Sequence, residues 1–461
     1  MTFVVVSMKD ESYWRSCCFI TAGLRDAYRI LAPKHQVEEV FVSSQFAEQD
    51  AESLAVQILS FQPQVVCFLD TYPEFGPVIG FIRRMRRGSQ MPLLRFHAYG
   101  DFTCKAALWL SWKDILIDLR TQFVCASEAQ EGLLAGLLVG SKGATGVCHF
   151  PLDIESFSYS PESRSKMRRS LGLDSEDFVI LYTGRMTLQK NVIAAVRAFA
   201  NLPEAVLVRC HFVFAGEFDD LGAPVDGANL PPGGFFTLWS REIASLPEAI
   251  KQKIHLLRGL PRQDLRGLYS AADVYLSLSL QHDEDFGMAP AEAALSGLPL
   301  LLTRWGGYKT FLSLDSVDRG ITVSISETNG STFKISDVVD QLLNLTGHRR
   351  APEERIQAGL RAAEKLSVQN ISKQIEGLPQ TGAKFRGFRP ELSELAKFLN
   401  PKTGSLAYPN FNKGSVYEHV YRTYVDVAET QQGFRIRNKF RSHLWYRKLE
   451  RMYEGLFAAV W

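Results

Sequence analysis

Gln281-His-Asp-Glu-Asp-Phe-Gly-Met-Ala-Pro-Ala-Glu-Ala-Ala-Leu-Ser-Gly297 decides how this chain of 461 residues is read. The apolar run Val274–Leu278 before it reads as a strand. Phe286-Gly287 opens a helix that closes at Gly297. The backbone N–H groups of Gly287, Met288 and Ala289 then point from the helix start toward an anion. Glu284 precedes this cradle and Glu292 lies inside the helix. Eight helical residues rise about 12 Å. A retaining glycosidase holds its carboxyls about 5 Å apart and an inverting one at most about 9.5 Å. The two glutamates are therefore expected to grip two parts of one long ligand. His282, Asp283, Glu284 and Asp285 are consecutive and would need a bend to converge on one ion, so no metal site is expected.

Upstream, Tyr182-Thr-Gly-Arg-Met-Thr-Leu-Gln-Lys-Asn191 runs from the end of one strand to the start of a helix. Gly184 permits an unusual turn. Arg185 and Lys190 follow as two cations at a strand's carboxyl end, which suits a diphosphate. No GxxxxGK[ST] is present, so this is not a P-loop. Downstream, Leu302-Thr-Arg-Trp-Gly-Gly-Tyr308 ends a strand in a Gly-Gly loop, readable as a plain tight turn or a close approach to ligand. Around these stretches short β-like runs alternate with helical ones. The first series comprises Phe3–Val6, Glu39–Val42, Val65–Leu69, Leu93–Phe96 and Phe123–Ala126, with helical spacing over Phe19–Leu31, Pro77–Arg87 and Ser127–Leu138. The polar, basic stretch Ser158–Ser170 reads as a linker. A second series follows: Phe178–Tyr182, Val206–Ala215, Ile254–Leu257, Val274–Leu278, Leu298–Leu302 and Gly320–Ser324, interrupted by an insertion loop over Phe218–Phe236. Such alternation predicts parallel sheets, with a ligand cleft at the strands' carboxyl ends.

Gly184-Arg185…Lys190, Leu257-Arg-Gly-Leu260, Tyr269-Ser-Ala-Ala-Asp273, Glu284-x-Phe-Gly…Glu292-Ala…Gly297-x-Pro299 and Gly306-Gly307 occur in this order. Together they resemble the retaining family 4 glycosyltransferases of the GT-B fold. The resemblance covers roughly residues 175–375 and implies an α/β chain of two Rossmann-like parallel-sheet domains facing a cleft. It further implies that Arg185 and Lys190 hold the donor diphosphate and stabilise the leaving nucleotide. Glu292 would hold the ribose hydroxyls. Glu284 would face the donor sugar or its phosphate beside the Phe286–Ala289 backbone, with Gly184 supplying the turn. Gly216 and the segment after Gly259 would lie near the nucleobase. His97, in Arg95-Phe-His-Ala-Tyr-Gly-Asp101, would touch the donor sugar, and His149 would lie on the hinge side. The expected activity is transfer of a hexosyl group, with retention, from a UDP- or GDP-sugar to a carbohydrate or lipid-linked hydroxyl. No metal and no cofactor beyond the donor is expected. The first strand departs from the family: Val6-Ser-Met-Lys-Asp-Glu-Ser-Tyr-Trp-Arg-Ser-Cys-Cys18 has no glycine before Gly23. That departure keeps a GT-B pseudoenzyme or binding subunit as a rival, beside a nucleotide-sugar epimerase.

The domains are expected at 1–155 and 156–379, with an extension over 380–461. Lys+Arg is 52 and Asp+Glu is 50, a balance of +2 that speaks against a nucleic-acid partner. This total divides into about −5 for residues 1–379 and about +7 for the extension. Phe434–Tyr453 mixes cations with aromatics. A helix there either packs back on the first domain or lies on an anionic membrane. Phe81–Arg87 is a second basic helix in the acceptor half. The 7 cysteines include no CxxC, so free thiols and a cytoplasmic location are expected, peripheral to the membrane if the tail binds it.

Overall fold

The computed structural model describes residues 1–9, 15–43, 45–86, 90–99, 102–140, 142–220, 230–326, 330–398 and 419–426. The first sheet is built from β1 (Thr2–Met8), β2 (Gln36–Val42), β3 (Val65–Leu69), β4 (Leu93–His97), β5 (Arg120–Cys125) and β6 (Thr145–Val147). Its parallel strands run β5-β4-β3-β1-β2, with β6 on the far side of β5. The second sheet contains β7 (Phe178–Thr183), β8 (Cys210–Ala215), β9 (Ile254–Leu257), β10 (Val274–Ser277), β11 (Leu300–Thr303) and β12 (Arg319–Ile321). Its order is β12-β11-β10-β7-β8-β9. Runs such as Val65-Val-Cys-Phe-Leu69 are buried along their whole length, because helices cover both faces of a parallel sheet. The two Rossmann-like sheets make this the GT-B architecture. A small hairpin of β13 (Ser324–Ser326) and β14 (Gly330–Thr332) follows the second sheet.

Ser158–Ser170 is not a linker. Pro161–Ser170 is a helix, started by the Ser160 side chain accepting from Ser163 N at 3.1 Å. Its basic face is used internally. Arg164 and Arg168 reach Asp273 at 2.7 and 2.6 Å, and the same carboxylate accepts from Val179 N at 2.8 Å. The stretch read as an insertion ends in another helix, Gly234–Ala244, and its residues 221–229 lie outside the described ones. The Gly306-Gly307 loop is a short 3₁₀ helix, Gly306–Thr310. On the basic helix Phe75–Met85, Arg83 donates to the carbonyls of Asp114 and Ile115, so it holds the domain together instead of facing solvent.

The chain returns to the first domain earlier than the boundary at 379. Leu152 N donates to Leu366 O at 2.9 Å, so outgoing and returning crossovers lie side by side. The helix Val368–Gly377 packs on Arg15–Arg29, and β15 (Ala383–Lys384) pairs antiparallel with β5. Phe385, Phe388, Leu392 and Leu395 then join the first domain's core. Residues 419–426 form a wedge between the domains. Tyr421 stacks on Trp305 and Tyr424 meets it edge-on. Gly306 N donates to Tyr424 O at 3.0 Å, and Lys309 Nζ reaches the carbonyl of Thr423 at 2.7 Å. On the other side, the Thr423 hydroxyl donates to Ala129 O at 3.0 Å. The helix expected within Phe434–Tyr453 lies outside the described residues.

Candidate active site

The second sheet changes direction between β7 and β10, which lie side by side. The loop after β7 carries Arg185 and Lys190, and the loop after β10 carries Glu284. A crevice opens where strand order reverses, so this is where a parallel sheet offers a ligand site. The strand ends are laced closely: Gly184 N donates to Ala215 O and Gly216 N to Leu257 O, both at 3.0 Å. Gly184 has φ +133°, and a Cβ on Gly216 would run into the Gly184 carbonyl. The two glycines thus meet at one point of closest approach.

Lys190 Nζ lies 2.6 Å from Glu284 Oε2, with the carboxylate 8% and the lysine 16% exposed. The Ser279 hydroxyl donates to the same oxygen. Arg185 reaches Asp219 at 2.7 Å, and the Tyr182 hydroxyl donates to the Arg185 carbonyl at 2.6 Å. Both cations are therefore positioned by acidic partners, one of which, Asp219, the sequence did not single out. The helix Met288–Leu295 starts beside them. Gly287 has φ +105°, against the Tyr308 ring, whose hydroxyl lies 2.8 Å from Ser277 Oγ. Met288 and Ala289 form the first turn. Phe286 faces the opposite way, packing on Phe150 and Phe311. Its side chain anchors the motif between the domains, while its backbone belongs to the cradle.

Glu292 accepts from the Tyr269 hydroxyl at 2.8 Å, and Tyr269 also lies 2.7 Å from Thr183 Oγ1. Burial raises the Glu292 pKa to about 7, against the lowering effects of Tyr269 and then Arg262. Arg262 approaches Glu292 at 4.0 Å and covers the rings of Phe19 and Phe157. Phe19 belongs to the first domain, so Arg262 also touches the facing side of the cleft. At the rim Glu217 accepts from Gly259 N at 2.7 Å and from Arg258, bringing the Gly216 and Gly259 segments together.

His97 closes β4 at its carboxyl end, where the sequence placed it. It sits at the end of β4, 3% exposed, with Nε2 2.8 Å from the Tyr28 hydroxyl. Burial, and secondarily the Arg95 guanidinium, push its pKa down to about 3. The ring is buried and neutral, hydrogen-bonded to Tyr28. His149 lines an interdomain cavity of about 350 Å³ with Lys309, Ser313 and Thr423. In the first sheet the order reverses between β1 and β3. There Asp70, with φ +66°, is buried and reaches Lys105 at 2.8 Å. The sequence reading missed Asp70. Its signal was a lone acidic residue closing the apolar run Val65–Leu69.

The family described as "Glycosyl transferases group 1" matches residues 163–358. That match falls within the second domain. D-inositol 3-phosphate glycosyltransferase from Xylanimonas cellulosilytica is 30% identical over 220 residues, 46% of this chain and 45% of that protein. The same-named protein of a Mycobacterium species is 26% identical over 193 residues, 42% of this chain and 39% of its own. The chain thus spans about half the length of the curated relatives it matches. Among solved structures, the UDP complex of Anabaena Alr3699/HepE superposes with a TM-score of 0.58 at 15% identity, covering 82% of this chain and 99% of that one. A glycosyltransferase from Rickettsia africae gives 0.56 at 14%, covering 86% and 98%. These structures share the GT-B frame across both domains. Within the matched stretch, Gly184, Arg185, Lys190, Gly216, Glu284, Gly287 and Glu292 all lie at the carboxyl ends of β7, β8 and β10 or in the helix that follows. No helix among the described residues is long and apolar enough to cross a membrane.

Proposed function

We propose that the protein is a retaining hexosyltransferase that takes its sugar from a UDP- or GDP-sugar. The observation that carries this reading is the Lys190–Glu284 pair at the mouth of the helix Met288–Leu295. In this reading the donor diphosphate draws Lys190 and Arg185 toward it and completes its neutralisation at the N–H groups of Gly287, Met288 and Ala289. Glu284, relieved of its lysine, turns to the donor sugar's hydroxyls, and Glu292 accepts from the ribose. Negative charge grows on the departing phosphate as the anomeric bond breaks. The two cations then interact more strongly with the transition state than with the bound donor, which is how they would speed the reaction. The acceptor hydroxyl attacks on the face the nucleotide leaves, and its proton passes to the departing phosphate oxygen. The protein supplies no covalent nucleophile in this scheme. The cations and helix N-terminus fill the electrostatic role, so transfer is proposed to need no metal. A carbohydrate or lipid-linked acceptor enters from the first domain, past Asp70 and Lys105.

A thermal-shift screen with UDP, GDP, ADP and their sugars tests the donor. A bound ligand raises the melting temperature by mass action. Nucleotide binding followed by sugar release or transfer supports the enzyme. The paired cations and the absence of glycine after β1 favour a second reading, a nucleotide-binding subunit without turnover. Binding with neither hydrolysis nor transfer would establish that reading instead. Cosedimentation with anionic liposomes, before and after deletion of residues 434–461, tests the membrane partner.

A further inference from the structure

We propose that Arg262 is a positioning residue that couples nucleotide occupancy at Glu292 to closure of the first domain through Phe19. This coupling rests on Glu292 being the acceptor for the ribose hydroxyls. Arg262 opens the helix Arg262–Ala271, directly after Gly259-Leu-Pro261. The same helix carries Tyr269, whose hydroxyl donates to Glu292 Oε2 at 2.8 Å. Arg262 approaches the other carboxyl oxygen, Oε1, at 4.0 Å. Residues seven apart share one face of a helix, so a single helix addresses both oxygens of the carboxyl.

The guanidinium carbon lies 3.8 Å from the Phe19 ring centroid and 4.8 Å from that of Phe157. Phe19 stands on the first domain's helix Arg15–Arg29 and is 42% exposed, while Phe157 ends the crossover helix Ile154–Phe157 and is buried. One cation therefore touches the first domain, the crossover and the second domain. A guanidinium stacks through its flat faces and donates hydrogen bonds from its edges. Stacking on Phe19 and donation to Glu292 are thus compatible in one side chain. At 4.0 Å the edge stops short of a hydrogen bond with Glu292. Among the described residues no other oxygen takes one from it.

The charge on Glu292 sets the strength of this contact. Burial keeps the carboxyl protonated up to about pH 7, and a neutral carboxyl attracts the guanidinium weakly. Ribose hydroxyls that donate to Glu292 favour its ionised form. The carboxylate then draws the guanidinium in from 4.0 Å. The Phe19 ring follows its stacking partner, which brings the first domain down on the nucleotide. The other groups near this pair are already engaged. Tyr269 stays on Oε2, and Tyr275, which also senses Glu292, donates to the Thr183 carbonyl at 3.2 Å. Asp153, the other carboxylate that feels Arg262, caps its own helix by accepting from Ser156 N at 3.2 Å.

The test uses the full chain in two arms, after circular dichroism has confirmed that each variant is folded. Without nucleotide, urea denaturation between pH 5 and 8 follows the Glu292 titration as the difference between each protein and its Glu292→Gln counterpart. Arg262→Gln should move that midpoint up by at least about half a pH unit, and Arg262→Lys, which keeps the charge, should leave it near the wild-type value. An unmoved midpoint in folded Arg262→Gln overturns the role given to Arg262. With UDP and GDP as probes, calorimetry at pH 7 should show Arg262→Gln binding about threefold to tenfold more weakly. Phe19→Leu should bind about threefold more weakly, and should add nothing in the Arg262→Gln background. An additive loss from Phe19→Leu overturns the coupling. If neither nucleotide binds the wild type, or if its affinity is flat from pH 6 to 8, the donor reading fails and the coupling with it. The nucleotide-free midpoint tells that failure apart from a wrong role for Arg262.

Discussion

Glu292 holds its proton at pH values where an exposed glutamate has lost it. Burial sets its folded pKa at about 7, above the usual 4.5. A raised carboxyl pKa means that the folded state prefers the proton. Its contribution to stability is complete below about 4.5 and is lost as pH climbs through about 7. Between pH 5 and 8 the nucleotide-free wild type should lose about 2–3 kcal/mol relative to Glu292→Gln, measured by urea denaturation. Nucleotide binding should run the other way, since ribose hydroxyls donate to the ionised form. Affinity for the nucleotide should rise from pH 6 to 8 in the wild type and stay flat in Glu292→Gln, by calorimetry. Lys190→Ala removes the cation from the buried Glu284 carboxylate and leaves Ser279 on that oxygen. We expect transfer to fall at least about a hundredfold and the melting temperature to drop by several degrees. Glu284→Gln should lose transfer with little thermal cost. Motif spacing was enough to find these side chains in the sequence. Their partners Asp219 and Tyr269, and the burial of His97, depend on contacts distant in sequence, which spacing cannot show.

The elements divide by whether their pattern is local. Buried parallel strands such as Val65–Leu69 and Phe178–Thr183 were legible because an apolar run bounded by polar residues needs no partner to be recognised. The helix Pro161–Ser170 was not, because its face is basic where an amphipathic helix would be apolar. Its packing depends on Asp273, more than a hundred residues on, which anchors Arg164, Arg168 and Arg349. Asp273→Ala leaves those guanidinium groups crowded without their counter-charge and Val179 N without its acceptor. A loss of about 3–5 kcal/mol is expected, read as a lower midpoint in urea. The site itself should then weaken in proportion to unfolding only, with unchanged nucleotide affinity in the folded fraction.

At the scale of the whole molecule the residues between the domains matter most. Two parallel-sheet domains were legible from the two β/α series. The wedge of residues 419–426 was not, since Tyr421 and Tyr424 have no periodicity that points at a distant Trp305. Replacing both tyrosines by alanine removes two buried rings at the interface. The domains should separate more readily, seen as a larger radius of gyration in solution scattering and a melting temperature lower by several degrees. The geometry carries a mechanical consequence. Arg304 reaches Asp426 at 3.3 Å, and just before it the chain's backbone is gripped by Gly306 and Lys309. Gly306 also lies against the Glu284 carbonyl. A pull applied to the backbone at Asp426 would therefore reach the glutamate motif within a few bonds, through Gly306 and Lys309.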